Sequence, residues 1–252
     1  MTKRAILWCG QFKRPEFGTN NKGRWQEIGD PTISADDFKI QANGLELAFE
    51  AVRALGVSRD EVHACLVNDD LRPQRLSTPP RRATVADLRR LLGTIKARAA
   101  PQDPLIFIAV NHGGSHGLVT ADPVDEFGES SQQSLLTPLV LDECLGPLPG
   151  PQVIVIASCY AGIFLPLGAS RPDRVVLASC AREEVYRIDR GDLARSAFLD
   201  ELFGAWCAVS LSDAIPRERL SLDLAFDRAR ERLASQKASE LPLRAGAATW
   251  PP

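Results

Sequence analysis

Short, continuous apolar runs alternate along the chain with longer segments whose apolar residues recur at helical spacing. Each apolar run is flanked by Gly, Pro, Asp, Asn or a charged residue, as is typical of strands buried on both faces of a parallel sheet. The pattern therefore predicts five buried strands, at residues 5–10, 62–68, 104–111, 152–158 and 174–180.

The segments between and after these runs predict amphipathic helices. The first ends in Gly56, and the second begins with Thr84 and Asp87 in the arrangement of a capping box. The predicted helices cover 43–56, 84–99, 134–145, 192–207 and 220–236. Because strands and helices alternate, we expect an α/β fold with a mostly parallel central sheet covered by helices on both faces.

Three stretches do not follow this alternation. Residues 11–36 are rich in Gly, Pro and Asn, and residues 69–82 contain three prolines and several arginines, so both are predicted to be long loops. Residues 241–252 show no periodicity, and we expect this tail to pack loosely. A chain of 252 residues is long enough to fold around one core, so we expect a single domain over 1–252.

Charge and composition restrict the classes of partner. The formal net charge is −2, with basic and acidic residues interspersed, which argues against nucleic acid or a membrane as a partner. Neither an export signal nor a membrane-spanning stretch is evident, so a cytoplasmic location is expected. The six cysteines show none of the close spacings of metal knuckles or disulfide scaffolds and are interpreted as free thiols.

The ends of two predicted strands carry residues suited to covalent chemistry. The third strand is followed by His112, and the fourth is followed by Cys159 in a turn of small residues. The carboxyl ends of parallel strands meet at one edge of a sheet, where ligands and catalytic groups gather. An imidazole beside a thiol favours the thiolate and can protonate a leaving amine. The sequence thus predicts a cysteine nucleophile with a histidine base.

Two glycines and the order of the residues refine this hypothesis. Gly113 and Gly114 allow the backbone to approach a substrate carbonyl, and the amides of Gly113 and Cys159 could stabilise an oxyanion. All three histidines precede Cys159, so the α/β-hydrolase and papain-like orders do not apply. The turn "SCYAG" also lacks the glycines of a nucleophile elbow.

The pattern resembles the caspase-like cysteine peptidases, a group that includes legumains, metacaspases and caspases. In that group an apolar strand ends in His-Gly, and a later apolar strand ends in a small residue and Cys, often followed by Gly. "FIAVNHGG" at 107–114 and "VIVIASCYAG" at 153–162 match both halves, and the resemblance extends over 5–203. A protein of this size without an attached module is similar to the stand-alone bacterial members.

The resemblance implies a cysteine endopeptidase that acts on a protein or peptide substrate without a metal or other cofactor. His112 and Cys159 would form the catalytic dyad, with Gly113 at the oxyanion. Regulation would come from self-cleavage, a loop or a partner protein. Candidate contacts to the substrate are Arg14, Ser158, Cys180, Arg182 and Glu183, with Glu184, Tyr186 and Arg187 also following the fifth strand.

One departure concerns the residue preference. Legumains and metacaspases carry an acid two residues before the cysteine and caspases a glutamine, whereas this chain has Ala157. A buried Arg or Lys of a substrate needs a carboxylate partner. We therefore expect cleavage after acidic or uncharged residues, unless Glu16, Glu183 or Glu184 supplies that carboxylate.

Other interpretations remain open at the level of sequence. His116 is a rival base, although the His-Gly of the family motif falls on residue 112. His63 and Cys65 share one face of a strand and suggest a metal, but no further ligands follow at useful spacing, so core packing is preferred. The fold could also serve as a catalytically lapsed interaction module or as a small-molecule thiol hydrolase.

Overall fold

The computed structural model describes ten segments of the chain: residues 1–10, 17–19, 25–27, 31–67, 69–121, 135–181, 188–189, 195–209, 220–235 and 241–246. Its strands are β1 (Arg4–Cys9), β2 (Phe17–Thr19), β3 (Trp25–Glu27), β4 (Val62–Leu66), β5 (Arg81–Arg82), β6 (Leu105–Val110), β7 (Gly113–Gly114), β8 (Gly117–Val119), β9 (Leu135–Leu136), β10 (Gln152–Ala157), β11 (Arg174–Ala178), β12 (Ile188–Asp189), β13 (Arg195–Ser196) and β14 (Leu243–Gly246). Its helices are α1 (Pro31–Ala54), α2 (Val85–Lys96), α3 (Pro138–Leu145), α4 (Pro166–Ala169), α5 (Ala197–Trp206) and α6 (Leu222–Ser235). Short 3-10 helices cover Arg59–Glu61, Asp69–Leu71 and Ala161–Phe164.

A seven-stranded sheet forms the centre of the fold, in the order β14-β11-β10-β6-β1-β4-β5. Its strands are parallel except for β14, which runs antiparallel to β11. The sheet lies between helices in a three-layer α/β sandwich. The predicted fold class, a mostly parallel sheet covered by helices on both faces, is therefore confirmed. All five predicted strands are present, as β1, β4, β6, β10 and β11.

The apolar runs form the core because each central strand is covered on both faces. Every residue of β1, β6 and β10 is buried. The large rings of Trp8 and Phe107 lie in contact on neighbouring strands, with their centroids 6.5 Å apart. Strands buried on both faces cannot alternate polar and apolar residues, which explains why their sequences are continuous apolar runs.

A buried ion-pair network holds the amino ends of the central strands. Arg4 at the start of β1 donates to Glu61 and to Asp103, each at 3.0 Å. Burial alone would raise the pKa of Asp103, but hydrogen bonds from the backbone of Thr2 and Ala100 and the guanidinium of Arg4 lower it to about 2. The charged groups at this end are thus satisfied within the protein.

Part of the predicted loop at 11–36 has regular structure. β2 and β3 pair antiparallel, and α1 begins at Pro31, well before the predicted start at residue 43. A proline in the first helical turn removes a donor that has no partner there, so it marks a helix start. Residues 69–82 include a 3-10 turn and end in β5, which pairs with β4.

The expectation of a loosely packed tail is wrong for residues 243–246. They form β14, which pairs with β11 over Val175–Ala178 at one edge of the sheet. Gly246 has a φ of +91°, and a Cβ on it would lie 2.1 Å from the carbonyl oxygen of Arg174. Only glycine permits this close approach, and the spacing of apolar residues along the sequence does not indicate it. Residues 247–252 lie outside the described residues.

No helix in the described part of the chain combines the length and the apolar character needed to cross a membrane. The single-domain organisation and the cytoplasmic location stay predictions.

Candidate active site

His112 and Cys159 follow neighbouring strands at the same level of the sheet. β6 ends at Val110 and β10 ends at Ala157, and these two residues are partners in the parallel register. The backbone N–H of Asn111 extends the pairing by donating to the carbonyl of Ala157 at 3.2 Å. Neighbouring strands lie about 4.8 Å apart. His112 and Cys159 each follow this register pair by two residues, so both lie at the same edge of the sheet, on neighbouring strands.

Gly113 shows how closely the two loops pack. A Cβ at this position would lie 2.2 Å from the carbonyl oxygen of Cys159 and 2.9 Å from Oγ of Ser158. No real side chain tolerates such a contact with a backbone oxygen. The backbone after His112 thus rests directly on the turn that carries Cys159, and only glycine fits there.

A small hairpin fixes the backbone around His112. β7 and β8 pair antiparallel, and the carbonyl of His112 accepts a hydrogen bond from the N–H of Val119 at 3.1 Å. The side-chain amide of Asn111 donates to the carbonyl of Val119 at 2.7 Å. His112 is half-buried at the base of this hairpin.

His116 occupies a different position. It lies with Ser115 in the exposed turn between β7 and β8, and its Nδ1 is 2.9 Å from the Ser115 hydroxyl. The alternative base predicted from the sequence is therefore at the tip of the hairpin, whereas His112 is at its root beside the Cys159 turn.

The chain reverses sharply after Cys159. Tyr160 has a φ of +58°, in the left-handed region that side-chain-bearing residues rarely adopt, and a 3-10 helix starts at Ala161. Such backbone strain costs on the order of 1–3 kcal/mol and is found at functional sites when the surroundings enforce it. The turn leaves Cys159 at the surface end of its strand.

Among the cysteines, Cys159 differs in exposure. It is partly exposed, whereas Cys9, Cys65, Cys144, Cys180 and Cys207 are buried. Burial raises the pKa of the Cys65 thiol to about 12 and also raises the pKa of Cys144. Buried thiols held in the protonated form are poor nucleophiles. Accessibility thus favours Cys159 as the reactive thiol.

Beneath the Cys159 turn lies a small polar network that sequence reasoning missed. The Ser179 hydroxyl accepts from the N–H of Ser158 at 3.2 Å and donates to the carbonyl of Ser158 at 3.0 Å. The thiol of Cys180 donates to the same carbonyl at 3.3 Å. The Ser158 hydroxyl in turn donates to the carbonyl of Cys159 at 3.0 Å.

Two residues expected to contact a substrate belong to this network. Ser158 and Cys180 are fully buried, at 0% exposure each. Because a direct substrate contact requires an exposed side chain, the structure does not support that role for either residue. Their contacts are instead with the backbone of the Cys159 turn.

The remaining predicted substrate contacts lie outside the described residues. These are Arg14, Arg182 and Glu183, together with Glu16, Glu184, Tyr186 and Arg187. Ala157, two residues before the cysteine, is fully buried on β10.

His63 and Cys65 do lie on β4, where Cys65 is buried. Burial lowers the pKa of His63, which disfavours its charged form. Within the residues that the structure describes, no cluster of three or more His, Cys, Asp and Glu side chains is arranged to hold a metal ion.

A sequence feature that could have revealed the network is a repeated tripeptide. The tripeptide Ala-Ser-Cys occurs at the end of both the fourth and the fifth apolar runs, at 157–159 and at 178–180. Small polar residues at neighbouring strand ends are candidates for side-chain bonds to the adjacent backbone. Which serine faces which backbone depends on the register, and the sequence does not supply the register.

Comparison with known proteins agrees with this architecture. The structure is similar to the crystal structure of caspase-1 from Spodoptera frugiperda, with a TM-score of 0.56 over 98% of this chain and 90% of that chain, at 12% sequence identity. No protein-family model and no curated protein matches the sequence. The chain therefore has a caspase-like fold.

Proposed function

We propose that this protein is a cysteine endopeptidase in which Cys159 is the nucleophile and His112 is the general base and acid. The observation that carries the proposal is the alignment of the two strand ends. His112 and Cys159 each follow the Val110–Ala157 register pair by two residues, and Gly113 packs against the Cys159 carbonyl. The caspase-like fold supports the same assignment.

The proposed reaction has two stages. The Cys159 thiolate attacks the carbonyl carbon of the scissile peptide bond, forming a C–S bond and a tetrahedral oxyanion. Collapse of this intermediate breaks the C–N bond, and His112 protonates the departing amine. Water, deprotonated by His112, then attacks the thioester, which releases the carboxylic acid and restores the thiol.

Backbone N–H groups would stabilise the oxyanion. Gly113 and Cys159 belong to loops in direct contact, and neither side chain is needed for the interaction. Donors fixed before the reaction stabilise developing charge without reorganisation, which makes such groups a large contribution to catalysis. None of these steps uses a metal or other cofactor.

A polypeptide is the proposed substrate class. Long connections follow β1, β6 and β11 at the carboxyl edge of the sheet, and such loops suit an extended chain better than a small molecule. A regulatory protein partner, a loop or self-cleavage would control access to the site.

The preference before the scissile bond is proposed to be for acidic or uncharged residues. Ala157 is fully buried and has no carboxylate, whereas the loops after β1 and β11 carry Arg14 and Arg182. Arginines recognise carboxylates through paired hydrogen bonds. A positional-scanning peptide library measures this preference directly. Strong turnover after Arg or Lys contradicts it and indicates that a glutamate supplies a carboxylate.

The endopeptidase proposal is tested by incubating a library of proteome-derived peptides with the purified protein and identifying new termini by mass spectrometry. The wild-type protein is expected to create internal cleavages that Cys159→Ala, confirmed as folded by its thermal unfolding, does not. A folded wild-type protein that cleaves no peptide contradicts the proposal and favours an interaction module. Cleavage that survives in Cys159→Ala contradicts the mechanism.

A further inference from the structure

We propose that Ser179 is a positioning residue that aims the backbone N–H of Cys159 at the oxyanion, acting through the peptide bond between Ser158 and Cys159. The inference rests on the proposed peptidase function. Ser179 would touch neither the substrate nor the reacting atoms.

The first step is the position of Ser158 relative to the sheet. β10 ends at Ala157, so Ser158 no longer has a backbone partner on β11. Its N–H and its carbonyl instead meet one side chain, the hydroxyl of Ser179, at 3.2 and 3.0 Å. This hydroxyl replaces the missing backbone pairing and extends the sheet by one residue on the β11 side.

The second step is the geometry of the next peptide bond. In a trans peptide the carbonyl oxygen and the following N–H point in opposite directions. Because the Ser158 carbonyl is held towards β11, the N–H of Cys159 points away from β11, towards β6 and Gly113. Within the described part of the chain, no protein acceptor binds this N–H. It is therefore aimed at the side on which Gly113 lies.

Further contacts restrict the same turn. The thiol of Cys180 also donates to the Ser158 carbonyl, at 3.3 Å, although a thiol is a weak donor. On the other side of Cys159, its own carbonyl accepts from the Ser158 hydroxyl at 3.0 Å. The Ser179 hydroxyl is the strongest of the groups that hold the peptide between Ser158 and Cys159, since it binds both backbone groups of Ser158.

The hydroxyl of Ser179 can be removed without disturbing the backbone pairing of this residue, so its positioning role can be tested apart from any support of the fold. Its own backbone N–H donates to the carbonyl of Ile156 at 3.0 Å, so the main chain of residue 179 stays paired when the hydroxyl is removed. Ser179→Ala should thus release the Ser158–Cys159 peptide while leaving the strand in place. Loss of a whole oxyanion donor lowers kcat about 10²- to 10³-fold, and a misaimed donor should lower it about 10- to 100-fold.

The experiment compares Ser179→Ala with Thr84→Ala. Thr84 caps α2 by accepting a hydrogen bond from the N–H of Asp87, so its loss lowers stability away from the Cys159 turn. Two readouts are measured: kcat for the peptide cleaved fastest by the wild-type protein, and the rate of Cys159 alkylation by iodoacetamide. Alkylation forms no oxyanion and therefore does not depend on the direction of the Cys159 N–H.

For Ser179→Ala we expect kcat to fall about 10- to 100-fold, the alkylation rate to stay within about twofold, and a crystal structure to show the Ser158–Cys159 peptide rotated. Thr84→Ala should change neither rate. An unrotated peptide, or equal losses of cleavage and alkylation, overturns the inference. A wild-type protein that cleaves no peptide instead contradicts the proposed function, so the two failures are distinct.

Discussion

The tripeptide Ala-Ser-Cys occurs at the ends of two neighbouring strands with different outcomes. Residues 157–159 begin with the last residue of β10, and residues 178–180 begin with the last residue of β11. The register pairs Ile156 with Ala178, so the second tripeptide is set back by one residue relative to the first. Cys159 consequently projects beyond its neighbour and is partly exposed, whereas Cys180 is fully buried and donates to the carbonyl of Ser158.

The difference shows that the sheet, and not the tripeptide, determines what each cysteine can do. β10 lies between β6 and β11, so the turn that carries Cys159 has the Gly113 backbone on one side and the Ser179 hydroxyl on the other. β11 lies between β10 and β14, and its last residues face the backbone of the first tripeptide. Ser179 and Cys180 of the second tripeptide thus bind the backbone of Ser158 in the first. Three variants test this division of roles.

The largest effect is expected from removing the imidazole of His112. His112→Ala should lower the rate of peptide cleavage by about two to four orders of magnitude, because a general base and acid is lost. His116→Ala is the matched control, since that ring lies in the exposed turn of the hairpin. Steady-state cleavage rates of the two variants provide the comparison. If the two variants rank in the opposite order, His116 is the base and the role given to His112 is wrong.

A smaller loss is expected from separating the two loops. In Gly113→Ala the new methyl group meets the carbonyl oxygen of Cys159, and a displacement of about 1 Å near reacting groups can cost about a hundredfold in rate. Gly114→Ala is the control, because a Cβ there has no heavy atom within 4 Å. Cleavage rates and thermal unfolding are measured for both. Equal activity in the two variants contradicts the close packing on which the site depends.

The smallest loss is expected from the second cysteine. Cys180→Ala removes one weak hydrogen bond to the Ser158 carbonyl, while the Ser179 hydroxyl still holds it, so cleavage should fall about tenfold or less. The same assay applies. A loss as complete as that caused by Cys159→Ala would give Cys180 a direct part in the chemistry and remove the distinction between the tripeptides.

The strands and most helices were predictable because burial determines where their apolar residues occur along the sequence. Strands covered on both faces are continuous apolar runs, and α2 begins at the predicted cap, where Thr84 accepts from Asp87. The early start of α1 was missed because residues 31–36 carry no apolar periodicity. β14 was missed because an edge strand of four residues depends on a partner, β11, that is distant in the sequence.

The candidate site was predictable only as far as it is local in the sequence. His112 and Cys159 each follow an apolar run directly, so a shared sheet edge could be predicted from strand order. The hydroxyl of Ser179 could not be assigned, because its bonds to Ser158 depend on a register offset of one residue. Burial of Ser158 and Cys180, which removes them from the substrate surface, depends on the same offset.

The central claim, that Cys159 is the nucleophile, is tested most directly by an electrophilic peptide probe. The wild-type protein is treated with a peptide acyloxymethyl ketone, and modified cysteines are mapped by mass spectrometry after digestion. Cys159 should be labelled alone among the six cysteines, and His112→Ala should slow its labelling. Equal labelling of another cysteine, together with cleavage activity that survives Cys159→Ala, would contradict the account.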